Sequence, residues 1–172
     1  MTARLAELLL SLPAVLWAIT FHEFCHGYAA MKLGDPTAKM DGRLSLNPLH
    51  HLDPIGTLCL LLFRFGWAKP VPINPGYFKN PRRDMALVSL AGAAGNILTA
   101  FVCAQLVKLF PALFQTYAAQ QFILIMIYMN VGLAAFNLLP IPPLDGSRVL
   151  YVMLPYKYMH IYYTLERYGM FV

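Results

Sequence analysis

His22-Glu23-Phe24-Cys25-His26 closes in on the end of an apolar run that begins at Leu5 and reaches Leu33. A run of that length exceeds the roughly 20 apolar residues that a helix needs to cross a bilayer. The stretch therefore predicts a membrane helix carrying two histidines and an acid. Residues four apart on a helix are separated by about 6 Å of rise and face one side. His22 and His26 are placed to share one zinc ion, with Glu23 beside them as a general base for metal-activated water. The plainer alternative is a chance match whose imidazoles only hydrogen-bond. Ionisable groups in an apolar span cost roughly 2.5–3.5 kcal/mol each, which favours the functional reading. Cys25 lies about 100° around the helix from the histidine face and is not counted as a ligand.

The whole composition agrees with a membrane setting. Of 172 residues, 59% are hydrophobic and 12% charged, and the mean hydropathy is +0.56. That length suits one membrane-embedded domain over residues 1–172. The net charge of +5 comes from basic residues scattered between apolar spans; they read as topology signals, not as a nucleic-acid surface. Cys25, Cys59 and Cys103 show no paired spacing, so no disulfide framework is expected. The N-terminal run continues into the His-Glu motif and does not read as a cleavable signal peptide.

The pattern predicts an all-α polytopic membrane protein. Spans are expected at about 5–33, with Pro13 as a kink, at 85–107 and at 118–139. Between the first two, Gly42–Asn47 alternates like a half-buried strand and Val71–Asn74 is extended and Pro-punctuated; both are expected as short edge strands. Pro54–Phe65 is too short to cross and is expected to be re-entrant or interfacial. After the third span, Pro140-Ile141-Pro142-Pro143-Leu144 cannot be regular helix, and a short helix is expected over 145–154. Met170-Phe171-Val172 looks like the start of a further apolar helix, as though the C-terminus were truncated.

Eight of the 13 Lys and Arg residues fall between Lys32 and Arg83. The positive-inside rule makes that loop cytoplasmic. The histidines then sit toward the cytoplasmic face, and the third span returns Asp145 to the same level. Catalytic zinc takes three protein ligands and keeps one position open. Among the eight acids, elimination favours Asp145, whose alternative role is an ordinary helix N-cap. His50 and His51 are rival ligands. Asn96 and Asn137 lie inside spans, where an unpaired amide is costly. Asn137 is placed to donate to an oxyanion or bind a substrate backbone. Interhelical hydrogen bonding is the alternative for both, and the favoured reading for Asn130. Ala91-Gly92-Ala93-Ala94-Gly95 reads as close helix packing.

On these residues the chain resembles the site-2 protease family of intramembrane metalloproteases over nearly its whole length. His22-Glu23-Phe24-Cys25-His26-Gly27 is similar to the family's first zinc motif. Asn137-Leu138-Leu139-Pro140-Ile141-Pro142-Pro143-Leu144-Asp145-Gly146 is similar to its second. Leu33–Ala38 and Gly66–Pro72 resemble the compact prokaryotic branch without extra domains. The resemblance implies a three-helix catalytic core, Asp145 as third zinc ligand, and Asn137 as a transition-state or substrate contact. Ala93 stands where many relatives carry a Pro before the Asn, a departure that bears on Asn96.

The expected function is a zinc endopeptidase with one Zn²⁺ per chain, cutting a transmembrane protein or peptide substrate within the lipid bilayer of a prokaryotic cell. Zinc on His22, His26 and Asp145 acidifies water and Glu23 takes its proton. Leu44, Leu46 and Asn96 are candidate substrate contacts, the first two by strand addition. Three rivals stand beside it. An ion relay or transporter is disfavoured by the few spans and the lack of repeated halves. A silent membrane-protein binder is disfavoured by the presence of Glu23. A prenyl-protein type of zinc protease would need Glu166 as its third ligand.

Overall fold

A computed structural model describes residues 2–63 and 68–168. Arg64, Gly66, Trp67 and the tail 169–172, with the helix start expected there, lie outside the described residues. Among the described residues seven α-helices follow in order: α1 (Thr2–Lys32), α2 (Thr37–Met40), α3 (Pro54–Phe63), α4 (Pro81–Leu109), α5 (Tyr117–Asn137), α6 (Gly146–Met153) and α7 (Met159–Tyr168). Three contain segments long and apolar enough to cross a membrane: Leu9–Lys32, Pro81–Leu109 and Tyr117–Asn137.

The three long helices pack against one another, and α6 packs on α4. Small residues let α4 sit at the centre: Gly92, Ala93, Gly95, Thr99 and Ala100 are all buried along it. Without a hydrophobic drive inside lipid, such residues gain contact by letting backbones approach. Ala14, Cys103, Ile123 and Met126 form one buried cluster near one end of the bundle. Ala30, Phe78 and Val88 form another near the site. The outer face is apolar, with Leu98, Phe101 and Tyr128 more than half exposed, as a lipid-facing surface requires.

Helix ends follow local chemistry. Pro81 begins α4 at a position that needs no N–H donor, and the Asp84 carboxylate accepts from Asn80 N at 3.0 Å. This starts α4 four residues before the expected span. Thr116 Oγ1 caps α5 by accepting from Ala119 N. Pro13 lies within a continuous α1. The ten residues of α3 are about 15 Å long, half a bilayer core.

The expected edge strands do not form among the described residues, where the only β pairing is an isolated bridge between Leu52 and Ala68. The physical reason differs for the two segments. In 42–47, local turns take the donors: Arg43 N and Leu44 N both reach Ala38 O, at 2.8 and 3.1 Å. Gly42 holds φ at 65°, and Asn47 N is capped by Ser45 Oγ. In 71–74, Val71 N donates to Glu23 Oε2 at 2.9 Å and Asn74 N to Asp35 Oδ2 at 2.7 Å. Those donors bind carboxylates on other elements, so no ladder can use them.

The turn after α5 sets α6. Residues 138–145 form turns and bends, with a cis Pro142–Pro143 peptide. Gly146 lies so close to the Leu138 and Leu139 carbonyls that a Cβ there has no room. At the other end, Arg82 from α4 donates to Tyr151 O at 2.6 Å and Leu154 O at 2.5 Å. Its guanidinium also lies 5.0 Å from the Tyr151 ring centroid. Replacing Arg82 by Met keeps the apolar stem and removes these charge-assisted bonds. The expected loss is roughly 1–3 kcal/mol, read as a lower thermal midpoint in detergent.

Candidate metal centre

Helix α1 and the turn before α6 bring the central residues together. His22 and His26 lie one turn apart on α1, near its C-terminal end, and Asp145 lies immediately before α6. His22 Nε2 is 3.0 Å from Asp145 Oδ2, His26 Nε2 is 3.1 Å from the same oxygen, and the two Nε2 atoms are 2.9 Å apart. Glu23, on the same turn, is held through Oε2 by the Val71 N–H.

The other ring nitrogens show which atoms face the centre. His26 Nδ1 meets the Val88 carbonyl at 2.8 Å. A carbonyl only accepts, so Nδ1 carries the proton. His22 Nδ1 meets Asn96 Oδ1 at 2.6 Å, while Asn96 Nδ2 donates to Ala18 O and Asn130 Oδ1. That places the Asn96 oxygen toward His22 and the proton on His22 Nδ1. Both neutral imidazoles thus turn bare Nε2 lone pairs toward a carboxylate oxygen. Three acceptors within about 3 Å repel one another unless positive charge lies among them, as protons or as a cation.

The donor set fits zinc. The three ligand atoms lie within 4.8 Å of one another. Atoms bonded to tetrahedral zinc at about 2.0–2.2 Å lie about 3.3–3.5 Å apart, so a few tenths of an ångström of spreading admits the ion. Burial pushes the Asp145 carboxyl up; only with protons on the facing histidine nitrogens would their hydrogen bonds and charge bring it down to about 2. It then stays ionised throughout the neutral range. Exposure sets the approach: the histidine side chains are 6% and 8% accessible, and Asp145 is 21% accessible. The open side is that of Asp145.

The remaining candidates are dispersed. Asn96 is fully buried, and its amide is engaged by three partners inside the bundle. Its oxygen meets His22 Nδ1 on the side of the ring away from Nε2. Asn137 is half-buried at the end of α5, with Nδ2 donating to Leu133 O at 3.0 Å. Leu44 is half-buried and packs near Gly27, while Leu46 is exposed. Neither rival histidine joins the cluster. His51 is buried with Nε2 on Ser45 O, and His50 Nδ1 meets Gly42 O. Glu166 is exposed on α7. Sequence reasoning missed Val71, whose only contribution is a backbone N–H, and the immediate contact of Gly92 with the imidazoles.

Comparison with known proteins supplies the class. The profile of Peptidase family M50 matches residues 107–164. The chain is 46% identical to "Putative zinc metalloprotease YwhC" of Bacillus subtilis over 144 residues, covering 80% of this chain and 66% of that protein. It is 32% identical to "Putative zinc metalloprotease Rip2" of Mycolicibacterium smegmatis over 142 residues, covering 78% and 53%. The chain belongs to peptidase family M50, the site-2 protease family. It spans somewhat less than two thirds of the first relative's length and about half of the second's. No solved structure matches it.

Gly92 offers a direct check. A Cβ there would lie 2.5 Å from His26 Nε2 and 2.7 Å from His22 Cε1. Gly92→Ala is expected to lower zinc affinity at least tenfold by displacing both rings. Gly132→Ala, with nothing within 4 Å of the added atom, is expected to leave it unchanged. Chelator competition on the two purified variants measures the contrast.

Proposed function

We propose that the protein is an intramembrane zinc endopeptidase, with one zinc per chain held by His22, His26 and Asp145. The supporting observation is the convergence of two unprotonated Nε2 atoms and one carboxylate oxygen on a single point. When bound, zinc supplies Lewis acidity that acidifies water and polarises a peptide carbonyl.

The chain's own groups perform the rest. Glu23 is the general base, taking a proton from the attacking water and returning it to the leaving amine. Its Oε2 is anchored by Val71 N, which leaves Oε1 for that proton. Asn137 is the candidate oxyanion contact; its amide must first leave Leu133 O. A helical substrate hides its carbonyls in hydrogen bonds, so it must unwind locally to reach Glu23. The exposed Leu46 and half-buried Leu44 are proposed to receive the extended segment, and α3 is proposed as a re-entrant or interfacial element. The clustered positive charge between Lys32 and Arg83 orients the site toward the cytoplasm of a prokaryotic cell.

Two measurements test this reading. Wild type is expected to hold close to one zinc per chain, and Asp145→Ala a small fraction of that. Glu23→Gln is expected to keep the zinc and lose cleavage of a membrane-protein substrate by about a hundredfold or more, within the range for general acid–base catalysis. A zinc-free, well-folded wild type sinks the protease reading.

The strand-addition step has its own test. Leu46→Pro removes a backbone donor without breaking the turn bonds to Ala38 O, so cleavage should fall while zinc content holds. Unchanged cleavage removes strand addition at Leu46 from the reading.

A further inference from the structure

A continuous hydrogen-bond chain crosses the bundle behind the metal site. Met126 O on α5 accepts from Asn130 Nδ2 at 2.8 Å. Asn130 Oδ1 accepts from Asn96 Nδ2 on α4 at 2.8 Å. Asn96 Nδ2 also donates to Ala18 O on α1 at 2.9 Å. Asn96 Oδ1 then accepts from His22 Nδ1 at 2.6 Å. Both asparagines are 0% exposed.

Each link in this chain has a determined polarity. Met126 O is a backbone carbonyl and can only accept, so Asn130 must present its NH₂ there and its oxygen to Asn96. Asn96 must then present NH₂ to that oxygen and to the Ala18 carbonyl. Its own oxygen is left for His22. An oxygen only accepts, so the proton of neutral His22 is on Nδ1 and the lone pair is on Nε2. The direction of the whole chain is set by backbone carbonyls on α1 and α5.

We infer that Asn96 and Asn130 are positioning residues that fix the tautomer and ring orientation of His22, so that Nε2 is presented to the metal. This role rests on the zinc reading above and goes beyond it, because neither asparagine touches the ligand point. Interhelical glue alone would need hydrogen bonds of either polarity. The observed chain has one polarity, and it ends on a ligand. Histidine ligands commonly depend on such a partner, whose loss costs about 10–100-fold in affinity. His26 has the Val88 carbonyl for the same purpose, a backbone atom that no side-chain substitution removes. His22 relies on a side chain, and that side chain on another.

The test is a double-mutant cycle on the full chain in detergent, with zinc affinity read by chelator competition. Asn96→Leu is expected to lose about 10–100-fold. Asn130→Leu removes one of the two acceptors that hold the Asn96 amide and should lose affinity, but the Asn96→Leu/Asn130→Leu double variant should bind no worse than Asn96→Leu alone. A second readout needs no metal. Nitrogen chemical shifts of the histidine-labelled apoprotein should show His22 protonated on Nδ1 in wild type, and a mixture of tautomers in Asn96→Leu. Equal zinc affinity in folded Asn96→Leu and wild type, or an unchanged His22 tautomer, overturns the role and leaves the protease reading intact. Additive losses in the double variant reduce Asn130 to helix packing and overturn the two-residue chain. A wild type that shows the expected tautomer yet binds no zinc overturns the metal reading, and with it the role toward metal.

Discussion

Two imidazole lone pairs and one carboxylate oxygen meet at a point inside a bundle of apolar helices. Such a cluster is electrostatically unfavourable on its own, and burial makes it more so. The rest of the fold can be understood as what it takes to maintain it. α1 supplies both histidines at one-turn spacing. The turn after α5 delivers Asp145, Gly146 seats that turn against α5 carbonyls, and Arg82 holds the far end of α6 to α4. Removing any of these supports leaves the three acceptors in place but loosens their separation. A cation responds to changes of a few tenths of an ångström.

The central position of α4 follows from the same constraint. Gly92 lies directly against both imidazoles, and Gly95 against the Cys25 sulfur. The sequence Ala91–Gly95 reads as helix packing, and it is packing. What the composition does not reveal is that the surface packed against is the histidine face of α1. A glycine on a central helix therefore serves two ends. It permits close approach, and it determines how much room the rings have to spread when an ion enters.

Legibility from sequence varied with how far each interaction reaches along the chain. The histidines and Glu23 were readable because helix periodicity is local. Asp145 was readable because three successive spans bring the end of the third back to the level of the end of the first, a coarse constraint that needs only a count of spans. The three spans were readable for the same kind of reason, apolar length. The orientation of Asn96 depends on partners 78, 74 and 34 residues away, and no periodicity encodes it. The strands expected at 42–47 and 71–74 failed differently. Their alternation is real, but turn bonds and two carboxylates, Glu23 and Asp35, took the donors that a ladder needs. Alternation reports which side chains suit two faces; it does not report where backbone N–H groups go.

That failure bears on how Glu23 is held. Val71 N–H lies on Glu23 because the 68–71 segment is itself tied down: Lys69 N reaches His51 O at 2.9 Å, and the buried Arg43 guanidinium donates to Lys69 O at 2.6 Å. Arg43, His51 and Lys69 therefore form a clasp on the loop whose last donor meets the catalytic candidate. A carboxylate free to rotate samples several directions, and proton transfer needs one. Anchoring one oxygen by a backbone N–H fixes the plane of the carboxylate without using a second ionisable group, which would be expensive at this depth. The loop between the first two spans thus belongs to the site as fully as the helices do. Its lack of regular strands is consistent with that role, because a paired ladder would already have claimed the Val71 donor.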